Sequence, residues 1–182
     1  MNQQTKSTQR VIVTAAASGI GLAVAQKFLA HNAKVFICDV AQETLDTALQ
    51  ANPGIQGALA DIGNPLHVET FFNDAITVMG GVDVLVNNAG IGGPNANIEE
   101  IGYTDWDDCI RINLSGMFYC VKQVIPTMKA QRSGSIINIS TSSAKTGLPS
   151  RLPYVASKVG VLGLSHNLAR ELGEFNIRCN TI

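Results

Sequence analysis

Short β-branched runs alternate along this chain with longer stretches of helical period. Residues 10–14, 33–38, 56–60, 82–86, 134–140 and 176–182 read as strands, several of them unbroken apolar runs such as Val11-Ile12-Val13. An unbroken apolar run suits a parallel sheet covered on both faces, because neither side of such a strand meets water. Helical patterns fall at residues 19–31, 42–51, 65–79, 105–130 and 154–173. This alternation predicts right-handed crossovers and an α/β, doubly wound parallel sheet of Rossmann-like type with helices on both faces. Thr104 ahead of Asp105 and Asp107 marks the expected start of the long helix, since a hydroxyl can accept from free N–H groups and carboxylates complement the positive helix end. On that helix Trp106, Ile110, Leu114, Met117, Val121 and Val124 recur at helical spacing and are expected in the core.

Composition narrows the function classes. A chain of 182 residues with 46% hydrophobic content is long enough for one sizeable core and short for two domains, so residues 10–182 read as a single domain behind a polar lead-in at 1–9. A net charge of −1 gives no footprint for nucleic acid or for an acidic membrane surface. No window approaches the roughly 18 apolar residues of a spanning helix, and the first ten residues lack the apolar core of a signal peptide. Cys38, Cys109, Cys120 and Cys179 have no metal-like or CxxC spacing, which fits reduced thiols in a cytoplasmic protein. His31, His67 and His166 stand apart, and no metal cluster is expected.

Three features carry candidate chemistry. The first strand runs into Ala15-Ala16-Ala17-Ser18-Gly19-Ile20-Gly21 and then into a helical pattern, an arrangement that lets backbone N–H groups at a helix start approach a pyrophosphate. The full G-x-G-x-x-G fingerprint is not met, because Val24 stands where its third small residue would be. The second strand leads into Asp39, 18 residues after Gly21, where a carboxylate would accept from a ribose diol and repel a 2′-phosphate. Third, Tyr154 and Lys158 stand four apart on the first turns of a helix and therefore on one face. A phenol ordinarily titrates near 10, and a neighbouring ammonium favours its phenolate and makes it usable in proton transfer.

In order along the chain come TAAASGIG (14–21), Asp61-Ile62, NNAG (87–90), Asn113, a hydroxyl-bearing stretch after the fifth strand, and Tyr154 with Lys158. This ordered set closely resembles the short-chain dehydrogenase/reductase family and covers nearly the whole chain. The resemblance implies hydride transfer between a secondary alcohol or ketone and a nicotinamide dinucleotide. Thr14, Ala15, Ser18, Gly19, Ile20, Gly21, Asp39, Asp61, Ile62, Asn88, Ala89, Gly90, Tyr154 and Lys158 would bind the cofactor, and Asn113, Thr141, Tyr154 and Lys158 would carry the catalysis. Within that set Tyr154 would move the hydroxyl proton, Lys158 would lower its pKa and hold the nicotinamide ribose, and Thr141 would bond the substrate oxygen. Asn113 would interrupt regular helix bonding and hold a water that links Lys158 to solvent. NAD is expected over NADP because Val40, Ala41 and Gln42 supply no arginine beside Asp39.

Two departures stand out. Ala15 replaces the family's first glycine, and its methyl group is expected to cost affinity if the local φ is positive. Thr141 occupies the position of the family's serine, 13 residues before Tyr154, with Ser142 as a substitute if the loop is shifted and Ser140 placed nearer the cofactor. The sequence stops at Ile182 within the sixth strand, whereas family members continue into the nicotinamide-side loop, a substrate-covering segment and a further strand. The short form is therefore expected to hold the adenosine half, to lack a wall of the substrate pocket and to leave an apolar sheet edge. The family commonly forms homodimers or homotetramers through the two long helices, and the small and apolar residues on those helices leave room for that. The other reading is a non-catalytic nucleotide-binding scaffold or redox sensor on the same fold.

Overall fold

In the computed structural model, which describes residues 8–182, six strands form one sheet. They are β1 (Arg10–Thr14), β2 (Lys34–Asp39), β3 (Ile55–Leu59), β4 (Val84–Asn87), β5 (Gly134–Asn138) and β6 (Ile177–Thr181). Between them lie α1 (Gly19–Leu29), α2 (Gln42–Ala51), α3 (Pro65–Met79), α4 (Tyr103–Ile110), α5 (Gly116–Gln131), α6 (Ser143–Thr146) and α7 (Leu152–Leu172). The sheet order is β3-β2-β1-β4-β5-β6, and every pairing is parallel. This is the doubly wound Rossmann order. The direction of winding reverses between β1 and β4, which opens a crevice at the carboxyl ends of the strands. Most of the lead-in expected over residues 1–9 lies outside the described residues.

The two-residue period of the strands divides the core. Val11, Val13, Val35, Ile37, Val84 and Val86 pack with Ala25 and Leu45 from α1 and α2 on one face. Ile12, Phe36, Leu85 and Ile136 turn to the other face, against Phe72 of α3, Val121 and Val124 of α5, and Leu172 of α7. At the amino ends of the strands Arg10 clamps β1 to the approach to β4. Its Nε and Nη2 donate to Asp83 Oδ2 and Oδ1 at 2.9 and 2.7 Å, and its backbone N–H donates to Oδ2 at 2.8 Å. Asn64 starts α3 by accepting from the backbone of Leu66 (3.0 Å) and His67 (3.4 Å), with Pro65 as the first helical residue.

The expected long helix at 105–130 is broken. Its first part is α4, a π-helical turn spans Arg111–Ser115, and α5 follows. Thr104 does not cap it: the helix begins at Tyr103 with Gly102 in the cap position, so Thr104 falls inside the first turn. The extra residue of the π turn also puts the apolar stripe out of phase. Met117, Val121 and Val124 are buried as expected, but Trp106, on the far side of the turn, is 38% exposed. Strand β4 starts at Val84 rather than 82, and Asp83 just before it still holds β1, with its carboxylate and its backbone N–H both on Arg10. Helix α6 and a 3₁₀ turn at Ile98–Glu100 occupy segments that carry no helical period.

Candidate active site

Between β1 and α1 the backbone makes a turn that few residues tolerate. Ala15 sits at φ +48° and Gly19 at +55°, both left-handed. Ala15 therefore adopts the conformation that a glycine would take without strain, at a cost of about 1–2 kcal/mol for a residue with a Cβ. At Gly21 a Cβ would press on the Ala15 carbonyl oxygen and lie 2.6 Å from Asn88 Nδ2, so only a glycine lets α1 approach the turn this closely. Thr14, buried at the end of β1, accepts through Oγ1 from the backbone N–H groups of Asn88 and Ala89, both at 3.1 Å. Asn88 Nδ2 in turn donates to the carbonyls of Thr14 (3.1 Å) and Ala15 (2.9 Å). The glycine turn and the loop after β4 are thereby locked together, while Ser18, Gly19 and Ile20 remain exposed at the start of α1.

Asp39 ends β2 with Oδ2 accepting from Ala17 N–H at 3.1 Å and Oδ1 from Val40 N–H at 2.8 Å. Asp61 lies after β3. Its Oδ1 accepts from Gly63 N–H (2.8 Å) and its Oδ2 from Arg111 Nη1 (3.1 Å). Arg111, which no local pattern singles out, also donates to Asp108 and spans α4 and the β3 loop. Ala15, Asp39, Asp61, Ile62, Ala89 and Gly90 are among the residues around a small pocket of about 110 Å³. It shares Gly90 and Ile91 with a cleft of about 400 Å³ that reaches Asn88, Ser140, Tyr154 and Lys158. The two adjoin at Gly90 and Ile91 along the groove at the carboxyl ends of the strands, one by β2 and the other by the start of α7. A larger cavity of about 640 Å³ lies at the opposite end of β1, beside Val24, Phe28 and His31, and contains none of these residues.

Asn113 stands in the middle of the π turn and is fully buried. Its Oδ1 accepts from Ile91 N–H (2.7 Å), and its Nδ2 donates to the Ile91 carbonyl (2.9 Å) and to Ser157 Oγ (3.0 Å). The side chain thus fixes the floor of the cleft and ties it to α7. Lys158 is 3% exposed, and its Nζ donates to the Ile139 carbonyl at 2.7 Å and lies 5.9 Å from the centre of the Tyr154 ring. Burial pushes the Lys158 ammonium down from 10.5 to about 8. Ser140 lines the cleft, with its hydroxyl donating to the Lys158 carbonyl at 3.1 Å. Thr141, the next residue, accepts through Oγ1 from Ser143 N–H at 3.2 Å and so starts α6. Its hydroxyl proton makes no hydrogen bond among the described residues, whereas Ser142 points to an exposed position. Ser157, hidden inside the Tyr-to-Lys run, links Asn113 to the Tyr154 carbonyl.

The chain matches known proteins along nearly its whole length. A profile of the short chain dehydrogenase family covers residues 9–182. A short-chain dehydrogenase/reductase of Penicillium canescens is 37% identical over 175 residues, which are 96% of this chain and 67% of that protein. A 3-oxoacyl-[acyl-carrier-protein] reductase of Thermotoga maritima is 35% identical, with 94% of this chain and 71% of that protein covered. Among solved structures, an actinorhodin polyketide ketoreductase variant with NADPH superimposes with a TM-score of 0.92 at 33% identity, over 96% of this chain and 69% of that one. The chain thus spans about two thirds of the length of the curated relatives it matches.

Proposed function

This chain belongs to the short-chain dehydrogenase family, and on that premise we propose that it transfers a hydride between NAD and a secondary alcohol or ketone. The observation that carries the reading is the pair of adjoining pockets in that groove, with Tyr154 and Lys158 lining one and Asp39 and Asp61 the other. When bound there, the cofactor supplies a hydride acceptor at the nicotinamide C4. In the oxidising direction Tyr154 takes the hydroxyl proton as the carbinol hydride leaves, so that a ketone and a reduced cofactor result. Lys158 places a positive charge beside the phenol and is held by the Ile139 carbonyl, in reach of the ribose edge of the groove. Thr141, one residue beyond the cleft-lining Ser140, offers its free hydroxyl proton to the substrate oxygen, where charge develops. Asn113, through Ile91 and Ser157, holds the loop after β4 against α7 and so keeps the cleft open to one geometry.

The preference for NAD rests on Asp39. Its carboxylate is held by three backbone N–H groups at the strand end, and the exposed residues that follow, Val40, Ala41 and Gln42, carry no cation to neutralise a 2′-phosphate. The polyketide ketoreductase of similar structure was solved with NADPH, so both cofactors belong in the test. Titrating NAD and NADP by fluorescence, followed by cofactor reduction with a panel of secondary alcohols, decides it. Tighter NAD binding and alcohol-dependent reduction are expected, and equal or tighter NADP binding would overturn the assignment.

The redox-sensor reading finds no support in the thiols. All four cysteines are buried, and burial pushes each thiol up, Cys38 to about 12. A thiol held protonated and away from solvent is a poor nucleophile for oxidants.

A further inference from the structure

We infer that Arg151 determines substrate specificity, selecting alcohols that carry a carboxylate near the carbinol carbon. This rests on the hydride-transfer reading above. Arg151 lines the same cleft as Tyr154 and Lys158 and stands at the first cap of α7, three positions before the tyrosine. Its Nη1 donates to the carbonyls of Gly92 (3.2 Å) and Gly93 (3.0 Å), which fastens the guanidinium to the loop after β4. Its Nε and Nη2 make no hydrogen bond among the described residues, and Arg151 takes part in none of the ion pairs there.

A purely structural role explains this placement poorly. A cation at the amino end of the 21-residue α7 opposes the helix dipole, and the Arg151 side chain does not cap the helix. No acidic side chain lines the cleft, whose charged groups are Arg151 and Lys158 alone. Lys158 is spent on the Ile139 carbonyl beside the tyrosine, so the unused guanidinium edge is the group left for a substrate anion. That edge, Nε–H with Nη2–H, matches the two oxygens of a carboxylate through parallel hydrogen bonds. Ile91 and Leu148, which also line the cleft, suit a short carbon chain between carboxylate and carbinol. A 2- or 3-hydroxy acid fits these demands. Its carbinol carbon gives a hydride to NAD, its hydroxyl proton goes to Tyr154, and its carboxylate remains unchanged on Arg151 as the keto acid forms.

The test compares lactate and 3-hydroxybutyrate, both enantiomers of each, with their methyl esters and with 2-butanol, in the wild type, Arg151→Met and Arg151→Lys. NAD affinity is followed by calorimetry. The wild type is expected to favour the acids over the esters by about tenfold or more in kcat/KM. In Arg151→Met the acid-to-ester ratio should fall about tenfold or more, to near one, mainly through KM, since the carboxylate is bound alike in ground and transition states. Arg151→Lys should recover only part of the ratio, because an ammonium lacks the fork. Turnover of esters or 2-butanol with no preference for acids, or a ratio unmoved in Arg151→Met, overturns the inference and leaves hydride transfer standing. Failure of the wild type to reduce NAD with any of these probes overturns both.

Discussion

Replacing Lys158 by methionine in the cofactor-free protein should produce a stability difference that depends on pH. The Lys158 ammonium lies in a site that pushes it from 10.5 down to about 8, with burial as the cause. In the unfolded chain the same group returns to its ordinary value. Between about pH 8 and 10.5 the unfolded state therefore binds more protons than the folded state, and stability rises with pH across that window. At about 1.4 kcal/mol per pH unit the whole displacement corresponds to about 3 kcal/mol. Below pH 8 the wild type carries this full penalty, and above 10.5 it carries none. Methionine fills a similar volume without a charge, so the stability of wild type minus Lys158→Met should climb by about 3 kcal/mol from pH 7.5 to 10.5. The buried thiols work in the opposite direction but are common to both proteins and cancel in the difference. Urea unfolding of both proteins at half-unit pH steps measures it. A difference that stays flat across the window would show that the ammonium is hydrated rather than buried.

Other perturbations test separate parts of the account. Gly21→Ala should cost about 1–3 kcal/mol in urea unfolding, because its Cβ has no room beside Asn88 Nδ2, and should weaken NAD binding in the same protein. An unchanged midpoint would refute the packing of α1 on the turn. Asp39→Asn should narrow the gap between NAD and NADP affinities measured by fluorescence; an unchanged gap would move the discrimination elsewhere. Asp83 is pushed up by burial but pulled lower overall by its hydrogen bonds to Arg10. The stability it lends is present above about pH 4 and lost as pH falls through its lowered value, so Asp83→Asn should cost about 1 kcal/mol at pH 7 and progressively less in acid. Equal losses at pH 7 and pH 3 would contradict that.

Much of this architecture is legible in the sequence because it is written locally. Unbroken apolar runs mark the strands, and the spacing from Gly21 to Asp39 marks the β1-α1-β2 crossover that brings carboxylate and turn together. The left-handed turn at Ala15 is foreshadowed by the family's glycine there, although only the folded backbone gives its sign. The π turn at Arg111–Ser115 leaves no trace in the local periodicity and is foreshadowed only by the resemblance, in which Asn113 interrupts regular helix bonding. It arises where Asn113 bonds both backbone groups of Ile91 and Ser157 of α7, contacts 22 and 44 residues away. That is why Trp106 is misplaced by periodicity alone. Arg111 and Arg151 escape for the same reason, since their partners lie in loops distant in sequence. Helix α6 is a single turn held by Thr141, too short to show a period.

In the proposed hydride transfer Tyr154 moves the proton, while the remainder of the groove holds the dinucleotide. Tyr154→Phe removes one hydroxyl and almost no volume. Single-turnover hydride transfer and calorimetric NAD binding, measured on the same preparation, test it most directly. A loss of transfer of at least about 100-fold is expected, with NAD affinity nearly unchanged. Normal transfer in Tyr154→Phe would contradict it.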